Sequence, residues 1–116
     1  LPAWHPGHVD QDLDLASSNP GAQPFEKQVA ALYLGQLYER ITGEDSVDTR
    51  IMSERGDEIS RALTERSLRL VAAGITAMAR FAPIRRVAID GSLYVKYRGY
   101  AARLQEAVAK LAELAQ

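Results

Sequence analysis

The sequence predicts an α/β fold that is mostly helical and carries a single strand. Apolar residues recur at helical spacing over residues 24–42 and again from Asp57 towards Pro83. A third observation supplies the strand: Val87-Ala88-Ile89 is a short run that is apolar on both faces, as in a strand buried on both sides of an α/β sheet. One strand makes no sheet. Either it pairs with another chain, or a larger domain supplies the missing strands.

At 116 residues the chain is one domain's worth at most, enough for a modest core and small for a two-lobed enzyme. Hydrophobic residues at 47% and charged residues at 25% make an ordinary globular mix, which excludes wholesale disorder. Fourteen Lys and Arg against fifteen Asp and Glu give a net charge of −1, so nucleic acid is not an expected partner. Without cysteine there are no disulfides, thiolate metal sites or cysteine nucleophiles. No apolar run approaches the ~20 residues that span a bilayer and Leu1 opens no signal peptide, so the expectation is a cytoplasmic protein without a membrane partner.

In chain order, residues 1–18 read as an extended lead-in followed by a short helical turn over Asp10–Leu15, anchored by Leu13 and Leu15. His5 and His8 are three apart, but Pro6 and Gly7 intervene and no cysteine backs them, so no metal site is expected there. They read as loop residues beside a packed Trp4. Asn19-Pro20-Gly21 is a strong turn: Pro20 fixes one φ, Gly21 accepts φ > 0 and Asn19 can bond its own backbone. Pro24 suits a first helical turn.

Phe25, Val29, Tyr33, Leu37 and Ile41 then recur every four residues, with Ala30 and Leu34 alongside. One helix over residues 24–42, stopped by Gly43, follows. Glu26 falls in its first turn, where the helix dipole favours the ionised carboxylate. Such a group accepts hydrogen bonds only, and it can hold two neighbouring hydroxyls of a polyol. It can equally be a simple helix stabiliser.

Residues 42–49 read as a connector, with a further helical segment at Ile51 and Met52. From Asp57 a helix of about six turns buries Ile59, Leu63, Leu70, Val71, Gly74, Ile75 and Met78, and ends before Pro83. Gly74 inside it costs ~1 kcal/mol against alanine, which points to close approach of another element there. The strand spans Ile84–Tyr94; Arg85 and Arg86 at its start read as solvated charges rather than a phosphate site. Asp90-Gly91-Ser92 lies at its carboxyl end, where α/β folds place ligands, though Asp-Gly there also reads as a plain turn. A last amphipathic helix, Tyr100–Gln116, presents Leu104, Val108, Leu111 and Ala115 on one face to cover a side of the sheet.

Three blocks carry a resemblance. Asn-Pro-Gly-x-Gln-x-Phe-Glu-Lys followed by Tyr-Leu-Gly at Asn19–Gly35, the small-residue helix Arg66–Ala77, and Asp-Gly-Ser-Leu-Tyr-Val-Lys within Val87–Lys96 resemble, in order and spacing, the hexokinase and glucokinase family. The resemblance implies a ribonuclease-H-like (actin-like ATPase) α/β fold, of which residues 1–116 would be part of the large, C-terminal domain. It implies that Glu26 binds sugar hydroxyls, with Asn19 and Gln23 shaping or contacting the same pocket. Gly91 and Ser92 would contact the adenosine of ATP, with Asp90 in support. The implied reaction moves the γ-phosphoryl of ATP, with Mg2+, to the 6-hydroxyl of glucose or a similar hexose.

Departures are equally specific. Residues 49–65 are much shorter than the corresponding family region. The Asp-x-Gly-Gly-Thr phosphate loop, the Asn-Asp segment with the catalytic base and the Asn-x-Glu-Trp-Gly segment are absent, and the C-terminal Gly-rich phosphate segment lies beyond Gln116. Metal, base and positioning must act together in phosphoryl transfer, so no catalytic residue is assigned to these residues and the remaining hexokinase domain or chain is the expected partner. The competing expectation is a noncatalytic helical interaction module that keeps the hexokinase scaffold.

Overall fold

In a computed structural model that describes residues 7–82, 87–88, 97 and 99–114, the described secondary structure is helical. Helix α1 spans His8–Ala16, longer than the predicted turn, because the Gly7 N–H donates to Asp10 Oδ2 at 2.9 Å and starts it early. Of its two predicted anchors only Leu13 is buried; Leu15 is 73% exposed, since residues two apart on a helix point to opposite sides. At its end, the Ser17 N–H and hydroxyl both donate to the Asp14 carbonyl.

The helix predicted over residues 24–42 is two helices, α2 (Glu26–Val29) and α3 (Ala31–Thr42), because Ala30 is extended at φ −80°, ψ 147°. The break has a tertiary cause. It turns the Val29 carbonyl out of the helical ladder to accept the Ser67 hydroxyl at 2.7 Å. The four-residue spacing from Phe25 to Ile41 therefore runs across two helices and is not one stripe: α3 buries Leu34, Leu37 and Tyr38, while Ile41 is exposed. Gly43 ends α3 as predicted, at φ +78°, with its N–H on the Glu39 carbonyl at 2.8 Å.

The connector leads to α4 (Thr49–Arg55), which Asp48 caps by accepting the Ile51 N–H at 2.8 Å. Here the chain makes its closest crossing. A Cβ on Gly35 would lie 2.6 Å from the Asp48 carbonyl carbon and the Thr49 nitrogen, so only glycine fits. The Thr49 hydroxyl bridges into α3, accepting from the Gly35 N–H at 2.8 Å and donating to the Ala31 carbonyl. Gly74, where close approach was expected, has room for a methyl, its nearest neighbour being Phe25 Cζ at 4.0 Å.

Helix α5 (Glu58–Phe81) begins at Asp57, whose carboxylate accepts the Ser60 N–H at 2.8 Å, and ends before Pro83 as predicted. Its buried positions are Ser60, Leu63, Ser67, Leu68 and Ala72, a face rotated from the predicted one, and Met78 is exposed. Helix α6 (Tyr100–Leu114) lies along α5 with Tyr100 and Leu104 buried and Val108 and Leu111 packed beside them. Two polar ties fasten this frame. Ser67 Oγ is 2.9 Å from Tyr100 Oη, and Arg66 grips Asp10 through two bonds of 2.7 and 2.8 Å.

No strand is present among the described residues. Most of the predicted strand Ile84–Tyr94 lies outside them, but Val87 and Ala88 are described and exposed, Val87 at 43%. Burial on both faces is thus corrected for these two residues, because no described strand exists to pair with them, and α6 covers α5 rather than a sheet.

Candidate functional site

The turn before α2 follows from its residue types. The Ala22 N–H donates to the Asn19 carbonyl at 3.1 Å, and Gly21 takes φ +82°, the left-handed conformation predicted for it. Gln23 is also left-handed, at φ +51°, a backbone cost of about 1 kcal/mol for a residue with a side chain. Its amide is tied back: Asn19 Nδ2 donates to Gln23 Oε1 at 3.2 Å. The structure therefore brings Asn19 and Gln23 together, with Glu26 beginning the adjoining helix.

Glu26 is exposed and its carboxylate has no hydrogen-bond partner among the described residues. The helix that it opens has four residues, not the nineteen positions predicted. What remains is an exposed carboxylate three residues along the chain from Gln23.

Two residues that the sequence reading passed over hold this turn. Lys27 is buried, at 3% exposure, and its Nζ donates to Asp14 Oδ1 at 2.6 Å and to the Asn19 carbonyl at 2.9 Å. Asp14 also accepts the Gly21 N–H, at 2.9 and 3.1 Å to its two oxygens. The Lys27 ammonium and then the Gly21 N–H hold the Asp14 carboxyl below its ordinary value. A cavity of about 60 Å³ between α1 and α2 adjoins the pair, lined by Asp10, Gln11, Asp14, Pro24, Lys27 and Gln28.

A second group of shifted carboxyls is structural. Tyr38 Oη donates to Asp57 Oδ2 at 2.6 Å, lowering the Asp57 pKa and raising that of the phenol. Arg55 Nη1 reaches both Glu44 oxygens at 2.6 and 2.7 Å and lowers the Glu44 pKa. Asp57 is at the same time the cap of α5, so its acceptors are occupied in holding the corner.

A cleft of about 630 Å³ lies between α4, α5 and α6, away from the Asn19–Glu26 turn. Arg50, Arg61 and Arg103 line it together with Ser53, Thr64 and Tyr97. Asp90, Gly91 and Ser92 lie outside the described residues, as do Trp4, His5, Arg85 and Arg86; Tyr97, just downstream of the first three, is described and faces this cleft. His8 is exposed, and among the described residues no group of three or more His, Asp or Glu side chains is placed to hold a metal. Nor is any described helix long and apolar enough to cross a membrane.

Comparison with known proteins gives the turn its context. A family profile described as Hexokinase matches residues 4–55 and 43–116. Hexokinase-9 of Oryza sativa subsp. japonica is 42% identical over 45 residues, which are 39% of this chain and 9% of that protein. Hexokinase HKDC1 of Homo sapiens is 61% identical over 28 residues, 24% of this chain and 3% of the relative. Glucokinase of Aspergillus niger is 50% identical over 32 residues, 28% of this chain and 6% of the relative. The matched stretches thus span under a tenth of these relatives' length, while the two profile matches together run over residues 4–116. The chain belongs to the hexokinase family.

Proposed function

We propose that these residues are part of the large domain of an actin-like hexose kinase that transfers the γ-phosphoryl of ATP to the 6-hydroxyl of glucose or a similar hexose. The observation that carries this reading is an exposed Glu26 at the start of the helix that follows the bonded amides of Asn19 and Gln23, on a turn held by Lys27. Glu26 accepts hydrogen bonds from two neighbouring sugar hydroxyls, a charge-assisted contact. Asn19 and Gln23 border the ring and complete its polar contacts. Their work is orientation: the sugar is held so that its reacting hydroxyl faces the donor. ATP supplies the phosphoryl group, and Gly91 and Ser92, supported by Asp90, receive its adenosine.

Among the described residues no group of three or more His, Asp or Glu side chains is placed to hold Mg2+. The proton acceptor belongs to the remaining domain. Of the arginines around the 630 Å³ cleft, Arg50 is paired with Glu54 and Arg103 with Glu65, which leaves Arg61 to favour an anionic donor on that side.

Titration calorimetry of the full-length protein with glucose tests the sugar site. Glu26→Gln is expected to weaken binding about 100-fold, two charge-assisted bonds being lost. Unchanged affinity removes Glu26 from the site.

The noncatalytic module is the second reading, favoured by apolar exposure at one end of the α5–α6 pair: Phe81 is 92% exposed, Leu114 81% and Met78 52%. A folded full-length protein that binds neither hexose nor ATP and makes no sugar phosphate establishes that reading instead.

A further inference from the structure

We infer that Asp14 and Lys27 are positioning residues of the polyol site, an ion pair of a buried ammonium and a half-buried carboxylate that sets the Asn19–Gln23 turn and Glu26 in one fixed geometry. The inference rests on the sugar-site reading above and adds two residues to it. A lysine at 3% exposure is an unusual thing to keep in a small core. Burying an ammonium is unfavourable unless its charge and donors are matched, and apolar residues of similar volume often do as well for stability. Geometry accounts for its retention.

Lys27 Nζ donates at once to Asp14 and to the main-chain carbonyl of Asn19, 2.6 and 2.9 Å away. Asp14 in turn takes the Gly21 N–H. One ammonium and one carboxylate therefore reach both halves of the turn, and Lys27 is the covalent neighbour of Glu26. Fixing Lys27 fixes the residue before it relative to the turn. Gln23 needs that support, since its left-handed backbone is unfavourable for a residue with a Cβ. Asp14 belongs to α1, which Arg66 anchors to α5 through Asp10, so the turn is referenced to the longest of the described helices.

The test is made on the full-length protein. Asp14→Asn is expected to raise the glucose KM roughly 10- to 100-fold by misplacing the turn, with the ATP KM changed less than about twofold. In the same variant the Gly21 amide should exchange with solvent faster. Because Asp14→Asn strands a buried ammonium, the double variant Asp14→Asn with Lys27→Met, which removes both charges, decides the matter if the single one does not fold. A parallel rise of both KM values overturns the inference by showing a purely structural role. An unchanged glucose KM in both the single and double variants, alongside a large effect of Glu26→Gln, also overturns it and leaves the sugar site standing. No effect of Glu26→Gln brings down the sugar site and this inference together.

Discussion

The turn at residues 19–26 and the corner at residues 35–57 are both built from polar side chains packed against backbone, and they use them oppositely. In the corner, the groups of Thr49, Asp48, Asp57 and Tyr38 are bonded to one another or to main chain. In the turn, Asp14 and Lys27 are bonded, as are the amides of Asn19 and Gln23, and Glu26 is exposed to solvent. A corner whose polar capacity is satisfied internally holds a fold. A turn with capacity to spare, held by a second set of residues, is suited to a ligand.

The comparison is broken most severely at the corner. Gly35→Ala drives a methyl into the backbone of Asp48 and Thr49, and should cost about 3 kcal/mol in urea denaturation; a loss below about 1 kcal/mol contradicts the close crossing. Thr49→Val leaves the bridge between Gly35 and Ala31 unmade, with an expected loss of about 2 kcal/mol, while glucose affinity of the full-length protein stays as it was. Altered sugar affinity in that variant means that corner and turn are coupled.

Acid sharpens the contrast. Asp57 and Asp14 both titrate below their ordinary value of 3.8, so each contributes stability that is present above that pH and is lost as pH falls through the lower folded value. Melting temperature followed below pH 4 should fall less steeply in Asp57→Asn than in the wild type. An unaltered slope removes Asp57 from the acid transition. The smallest expected effect is at Gly74→Ala, neutral to about 1 kcal/mol stabilising, because a mid-helix glycine is replaced where space exists.

Much of this was legible in the sequence. Gly21 and Gly43 were placed in the left-handed region by turn and cap chemistry, and the long helix after Asp57 by its period. The break at Ala30 was invisible, since alanine is the best helix former and the apolar spacing continues across it; it goes with the bond from Ser67 to the Val29 carbonyl, 38 residues apart. Gly35 and Gly74 both sit inside helices, and only the path of the connector decides which one is crossed. For the candidate site, the resemblance points to positions 19, 23 and 26, of which the turn brings Asn19 and Gln23 together. The pair beneath them was not, because Asp14 and Lys27 are 13 residues apart and no local periodicity links such positions.

The interruption at Ala30 also has a kinetic meaning. Four residues are too few for α2 to persist alone, and its anchors arrive from distant chain, Ser67 at a separation of 38 and, through α1, Arg66 at 56 from Asp10. Helices α3 and α5 can take shape from local contacts first. The segment bearing Glu26 then condenses late, so Ser67→Ala should speed unfolding and leave the refolding rate nearly unchanged, a φ-value near zero in a chevron measurement. A φ-value near one places the turn in the folding nucleus instead.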